Sequence, residues 1–147
     1  MPVVKHVGGG GWKAREGLAP PPRQKGEAVN GWTNYQTWNV SLWLSNDPAT
    51  EAATRSTADA WNDRTAEQGG TLSELADALR ELVASLPNVE AVTGSASLAS
   101  DLLGHALDSV EWHELAHAYT DDLDIDADEL NRRREAAISR WPTPMQP

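Results

Sequence analysis

The chain contains no cysteine and no phenylalanine. The first absence removes disulfides, thiolate nucleophiles and cysteine-ligated zinc, so any metal site must be assembled from His, Asp and Glu. No apolar run approaches the ~18 residues of a membrane span, and the opening MPVVKHVGGGGW lacks the apolar stretch of a secretory signal. A cytoplasmic protein without membrane segments is expected. There is no Walker loop, no GxSxG and no dinucleotide-binding glycine fingerprint, which leaves nucleotide-dependent and serine-hydrolase chemistry without support.

Lysine is nearly absent and confined to one end. Residues 1–30 hold Lys5, Lys13, Arg15, Arg23 and Lys25 against Glu16 and Glu27, a balance of +3. The remaining 117 residues carry seven arginines, no lysine and 20 acidic side chains, or −13, within a formal total of −10. A surface of that sign repels phosphate backbones, so direct nucleic-acid binding is disfavoured and a protein with a basic surface is the expected partner. Compositional acidity that merely keeps the chain soluble is the equal alternative.

Three regions are expected: a flexible, basic, Gly/Pro-rich tail over 1–30, an acidic helical domain over 31–141, and a disordered C-terminus over 142–147. The tail carries GGGG and PPP with few large apolar residues to offset the entropy of ordering. Helical spacing begins at Asn34 and predicts a first helix to 46. There Tyr35, Trp38 and Leu42 project to one side and Val40, Trp43 and Leu44 to the other. Apolar groups on both sides place this helix at the bundle centre, with Tyr35, Trp38, Leu42 and Trp43, joined by Trp112, as core. Asp47-Pro48 starts a second helix that stops at Gly69-Gly70.

Thr71-Leu-Ser-Glu74 is a capping box opening the clearest amphipathic helix, which Leu86-Pro87-Asn88 ends. A fourth helix carries Leu98, Leu102, Leu103, Ala106 and Leu107 as one stripe. Ser109 is expected to cap a fifth over 110–120, and Asp126-Ala-Asp-Glu129 a sixth reaching Trp141. The fold class is all-α, a compact bundle of about five to six short helices.

The segment Gly31-Trp-Thr-Asn-Tyr-Gln-Thr-Trp-Asn-Val-Ser-Leu-Trp-Leu-Ser-Asn-Asp47 resembles an uncharacterised family of small phage- and plasmid-borne proteins, built around a Tyr-x-Thr-Trp-Asn-Val-x-Leu-Trp-Leu-x-Asn-Asp signature. Val110-Glu-Trp-His-Glu-Leu-Ala resembles that family's C-terminal segment. The resemblance implies a mobile-element setting and a family domain over 31 to about 122, with the tail and last helix as additions. It implies no reaction and transfers no catalytic residue.

His113-Glu114-Leu115-Ala116-His117 satisfies HExxH on an expected helix, where two histidines four apart share a face and can hold zinc with Glu114 as general base. Glu111 puts a charge just before the motif, and few residues remain for a third ligand; Asp121 is about 12 Å along the helix from His113. Asp122, Asp124, Asp126 and Asp128 echo an EF-hand loop, but neither frame supplies both the glycine and the bidentate glutamate. Tyr35, Trp38 and Trp43 lack the flanking Lys and Arg of a base-stacking platform. Arg132-Arg133-Arg134 spreads around its helix and is expected to pair with neighbouring acids such as Asp128 and Glu129.

The favoured reading is a small non-enzymatic binding or regulatory protein without a cofactor. It would occupy a basic, nucleic-acid-binding surface of a host protein, with Asp121, Asp122, Asp124, Asp126, Asp128 and Glu129 as main contacts. A zinc hydrolase using His113, Glu114 and His117 is the alternative.

Overall fold

The computed structural model describes residues 28–140. Among them are seven helices: α1 (Tyr35–Asn46), α2 (Pro48–Gln68), α3 (Leu72–Ala84), α4 (Pro87–Thr93), α5 (Leu98–Asp108), α6 (Trp112–Asp122) and α7 (Ala127–Arg140). Most of the expected tail and residues 142–147 lie outside the described residues. The tail's last residues do not: Val29 is buried and exchanges two backbone hydrogen bonds with Trp32, at 2.7 and 2.9 Å, so the folded unit starts before Gly31.

Side-chain caps set most helix starts. Asn34, Asp47, Thr71 and Ser97 each accept a hydrogen bond from the backbone N–H three residues on. Asp126 does the same for Glu129, at 2.9 Å. Neither expected capping box is reciprocal, because both glutamates are drawn elsewhere. Glu74 meets Arg64 at 3.1 Å, and Glu129 turns to Arg132 and Arg133.

Two elements differ from expectation. Pro87 ends α3 but also starts α4, since a proline at the first helical position gives up only an N–H that would have no helical partner. Ser109 does not open α6. Its hydroxyl donates to the His105 carbonyl at 3.1 Å and closes α5, so α6 begins at Trp112 behind Glu111, without a side-chain cap.

The core is organised on α3, whose Leu75, Ala76, Leu79 and Val83 meet α6 (Trp112, Leu115, Ala116) and α2 (Ala58, Trp61). Leu44 brings α1 to the same cluster. Contrary to the central position expected for α1, Tyr35 and Trp43 are half exposed, at 50% and 51%, and Trp38 and Leu42 are only partly buried. The helix packs chiefly on α2 and α6, which covers one face. That face carries Thr37 and Leu44, seven residues and two turns apart.

Thr37 is tolerated in this dry position because its hydroxyl is fully engaged. It donates to Asn34 Oδ1 at 2.6 Å and accepts from the Glu111 N–H at 2.9 Å. Asn34 Nδ2 also donates to the Ser109 carbonyl at 2.8 Å, tying the start of α1 to the α5–α6 junction.

The last helix is docked on α2 through a buried arginine. Arg133 lies 5.8 Å from the Trp61 ring centroid and donates to Asn62 (2.7 Å), Thr65 (3.2 Å) and Glu129 (2.6 Å). Hydrogen bonds from Arg132 and Arg133 hold the Glu129 carboxyl down at about 2. A folded-state value below the unfolded one stabilises the fold above the ordinary glutamate range near 4.5. That contribution is lost as pH falls from there towards about 2. Acid titration followed by circular dichroism should show wild type losing stability through this window, with a shallower loss in Glu129→Gln.

Candidate functional site

Three surfaces collect the chemistry-bearing residues. The first is an open depression of about 520 Å³ beside α6, lined by Trp32, Leu72 and the HExxH residues. The histidines share a face as their spacing requires, but their neighbours are structural. His113 Nε2 lies 2.8 Å from the Ser73 hydroxyl, and both Glu114 oxygens accept from the Thr33 N–H, at 3.1 and 3.2 Å. Glu114 thus anchors the segment leading into α1. His117 Nδ1 is 3.9 Å from Asp121. Among the described residues, no three His, Asp or Glu side chains converge to hold a metal ion.

The second surface runs from the end of α6 into α7. Asp121, Asp122, Asp124, Asp126 and Asp128 are all exposed, and Glu129 is partly covered. Two of the six are engaged within the fold, Asp126 as the α7 cap and Glu129 in its ion pairs. Asp124 sits at φ +60°, a left-handed conformation that aspartate accepts more readily than most residues. Next to this surface, burial pushes the Tyr119 hydroxyl up, with Asp122 and Glu51 adding to the effect.

This face belongs to a longer pattern. Between Arg80 and Arg132 the chain has no Lys or Arg, while residues 81–131 carry 12 acids. Ion pairs with arginine take up Glu51, Glu74, Asp108 and Glu129. Of these only Asp108 and Glu129 lie in the base-free span, so the negative field there is left largely uncompensated among the described residues.

The third surface has no counterpart in any local sequence pattern. A groove of about 620 Å³ opens between α1, the start of α2, the α3–α4 corner and α5. Its walls are apolar, with Val40, Trp43, Leu86, Val89, Leu103 and Leu107. Asn39 and Asn88 add amides, and Asp47 is the one charged residue of the lining. Helix α5 has no buried residue; Leu98 and Leu102 of its expected stripe are exposed, at 76% and 62%.

A family model described as a family of unknown function, DUF7249, matches residues 25–137. The chain belongs to this family. The match begins before the Val29–Trp32 bridge and runs through most of α7, so the last helix is part of the family domain and not an addition. The docking of Arg133 on α2 is the structural counterpart of that extent. No curated protein and no solved structure matches the chain.

Proposed function

We propose that this protein is a small, non-enzymatic binding protein that occupies a basic surface on a partner, of the kind built to receive nucleic acid. The observation that carries this reading is the base-free span: 51 residues, running from the last turn of α3 through α4, α5 and α6 into the first turn of α7, with 12 acids and neither Lys nor Arg. Exposed carboxylates on a helical scaffold can lie where phosphates would, and their field steers a cationic partner into contact. The mobile-element setting and host-cytoplasm location implied by the signature are part of the proposal. The zinc-hydrolase alternative has less support, since Ser73 and Thr33 already engage His113 and Glu114.

The test is affinity capture at low and high salt with wild type and a variant carrying Asn at 121, 122, 124 and 128. Asp126 and Glu129 are kept, because they cap and hold α7. Wild type is expected to retain basic proteins at low salt and release them to high salt or competing DNA, with retention much reduced in the variant. Identical retention by both forms, or none by either, would refute the proposal.

A further inference from the structure

We infer that the groove between α1 and α5 receives one amphipathic helix of a partner protein, apolar on the inserted face and carrying Lys or Arg along its flanks; this deepens the binding role proposed above and rests on it. The volume, about 620 Å³, falls within the ~300–1,000 Å³ typical of ligand-binding clefts. The lining is apolar at its centre, and Trp43, a type of side chain that dominates binding energetics, stands half exposed in it.

The form of the occupant follows from the backbone. Every wall of the groove is helical or a helix junction, and the described residues include no strand whose edge an extended peptide might join. An extended segment would enter with unpaired N–H and C=O groups, whereas a helix satisfies its own. Asn39 and Asn88 leave two amides for polar side chains at the margins.

The charge of the occupant follows from the walls. Helices α1, α4 and α5 contain no Lys or Arg, and α4 and α5 carry Glu90 and Asp101 outside the lining, together with Asp108, which pairs with Arg80. Asp47, in the lining, stays ionised because hydrogen bonds from the Thr50 hydroxyl and N–H hold its carboxyl below the usual range. An apolar helix flanked by carboxylates meets repulsion from Asp47 and from the acids of α4 and α5, and one flanked by cations meets attraction.

The probe is a fluorescein-labelled peptide of about five helical turns, with leucines on one face and lysines on the other, measured by anisotropy against the full chain. Two further peptides accompany it: one with glutamate for lysine, and one with leucine and lysine alternating, which is amphipathic only as a strand. The helical Leu/Lys peptide is expected to bind at least about tenfold more tightly than either. Trp43→Ala and Leu103→Ala, each checked by circular dichroism, should weaken it by about tenfold or more. Two positions guard against one variant failing to fold.

Wild-type affinity in both variants, equal binding of the glutamate peptide, or no binding to wild type would overturn the inference. So would a wild-type dimer in sedimentation that Trp43→Ala disperses, which would make a second copy the occupant. If only the 121/122/124/128 variant loses the peptide, the groove is excluded while the acidic-surface reading stands. Groove binding together with failed capture of basic proteins gives the reverse.

Discussion

Replacing Trp61 with alanine is expected to destabilise the fold by about 3–5 kcal/mol. The side chain is 2% exposed, the largest of those fully enclosed, and it sits where α2, α3 and α7 meet. Its indole N–H donates to the Thr71 carbonyl at 3.0 Å, securing the turn into α3, and its ring lies under the Arg133 guanidinium. Truncation opens a cavity, releases that carbonyl and leaves a buried arginine without its aromatic neighbour. Urea denaturation monitored by circular dichroism measures the loss directly. Trp38→Ala, at a partly buried site on the less covered α1, is expected to cost clearly less; a Trp38 effect equal to that of Trp61 would contradict the packing described.

Gly69→Ala is the second large effect, expected at about 3 kcal/mol or more. Gly69 closes α2 at φ +82°, outside the range that side-chain-bearing residues favour. A Cβ there would stand 2.6 Å from the Ala137 nitrogen and 2.7 Å from the Arg133 carbonyl oxygen, both backbone atoms of α7. Neither can swing aside, so α7 must lift from α2, taking with it the Gly70 N–H to Arg133 carbonyl bond of 2.9 Å. Gly104→Ala is the matched control. Its Cβ would meet nothing within 4 Å, and helix propensity favours alanine, so stability is expected to hold or rise by up to ~1 kcal/mol. Thermal denaturation of the two variants side by side separates the lock at Gly69 from the general effect of a methyl group.

How far the sequence carried these conclusions depends on the distance over which each signal acts. Caps act over three residues, and Asp47, Thr71 and Asp126 announce their helices plainly. The helical spacing of Leu75, Leu79 and Val83 likewise marks α3 as amphipathic, while its central position appears only in the fold. Helix α4 is hidden in the sequence because Pro87 signals a stop to α3, although the same ring suits a first turn. The misplacement of Tyr35 and Trp43 has another cause. Apolar character says that a residue can be buried, not that a neighbour arrives to bury it, and α1 is packed closely on the side of α2 and α6.

Of the candidate sites, the HExxH face and the acidic residues were legible as local strings, and the structure supplies their neighbours. The groove was not legible, since it exists only where α1 and α5, more than 50 residues apart in the chain, fail to close on each other. The base-free span was present in the sequence throughout. Summing charge over a long sliding window would have located it, whereas a division into tail and domain spread it over the whole.

The sparse attachment of α4 and α5 has a thermodynamic meaning. These two helices contact chiefly each other, with a narrow link from α4 to α3, and neither contains a buried residue. Opening that hairpin exposes little apolar surface, so its free energy of opening lies far below that of global unfolding. The domain therefore has two levels of stability, a rigid platform of α2, α3, α6 and α7 and a shallow hairpin beside it. Amide hydrogen exchange is accordingly expected to be faster in α4 and α5 than in α3 and α6.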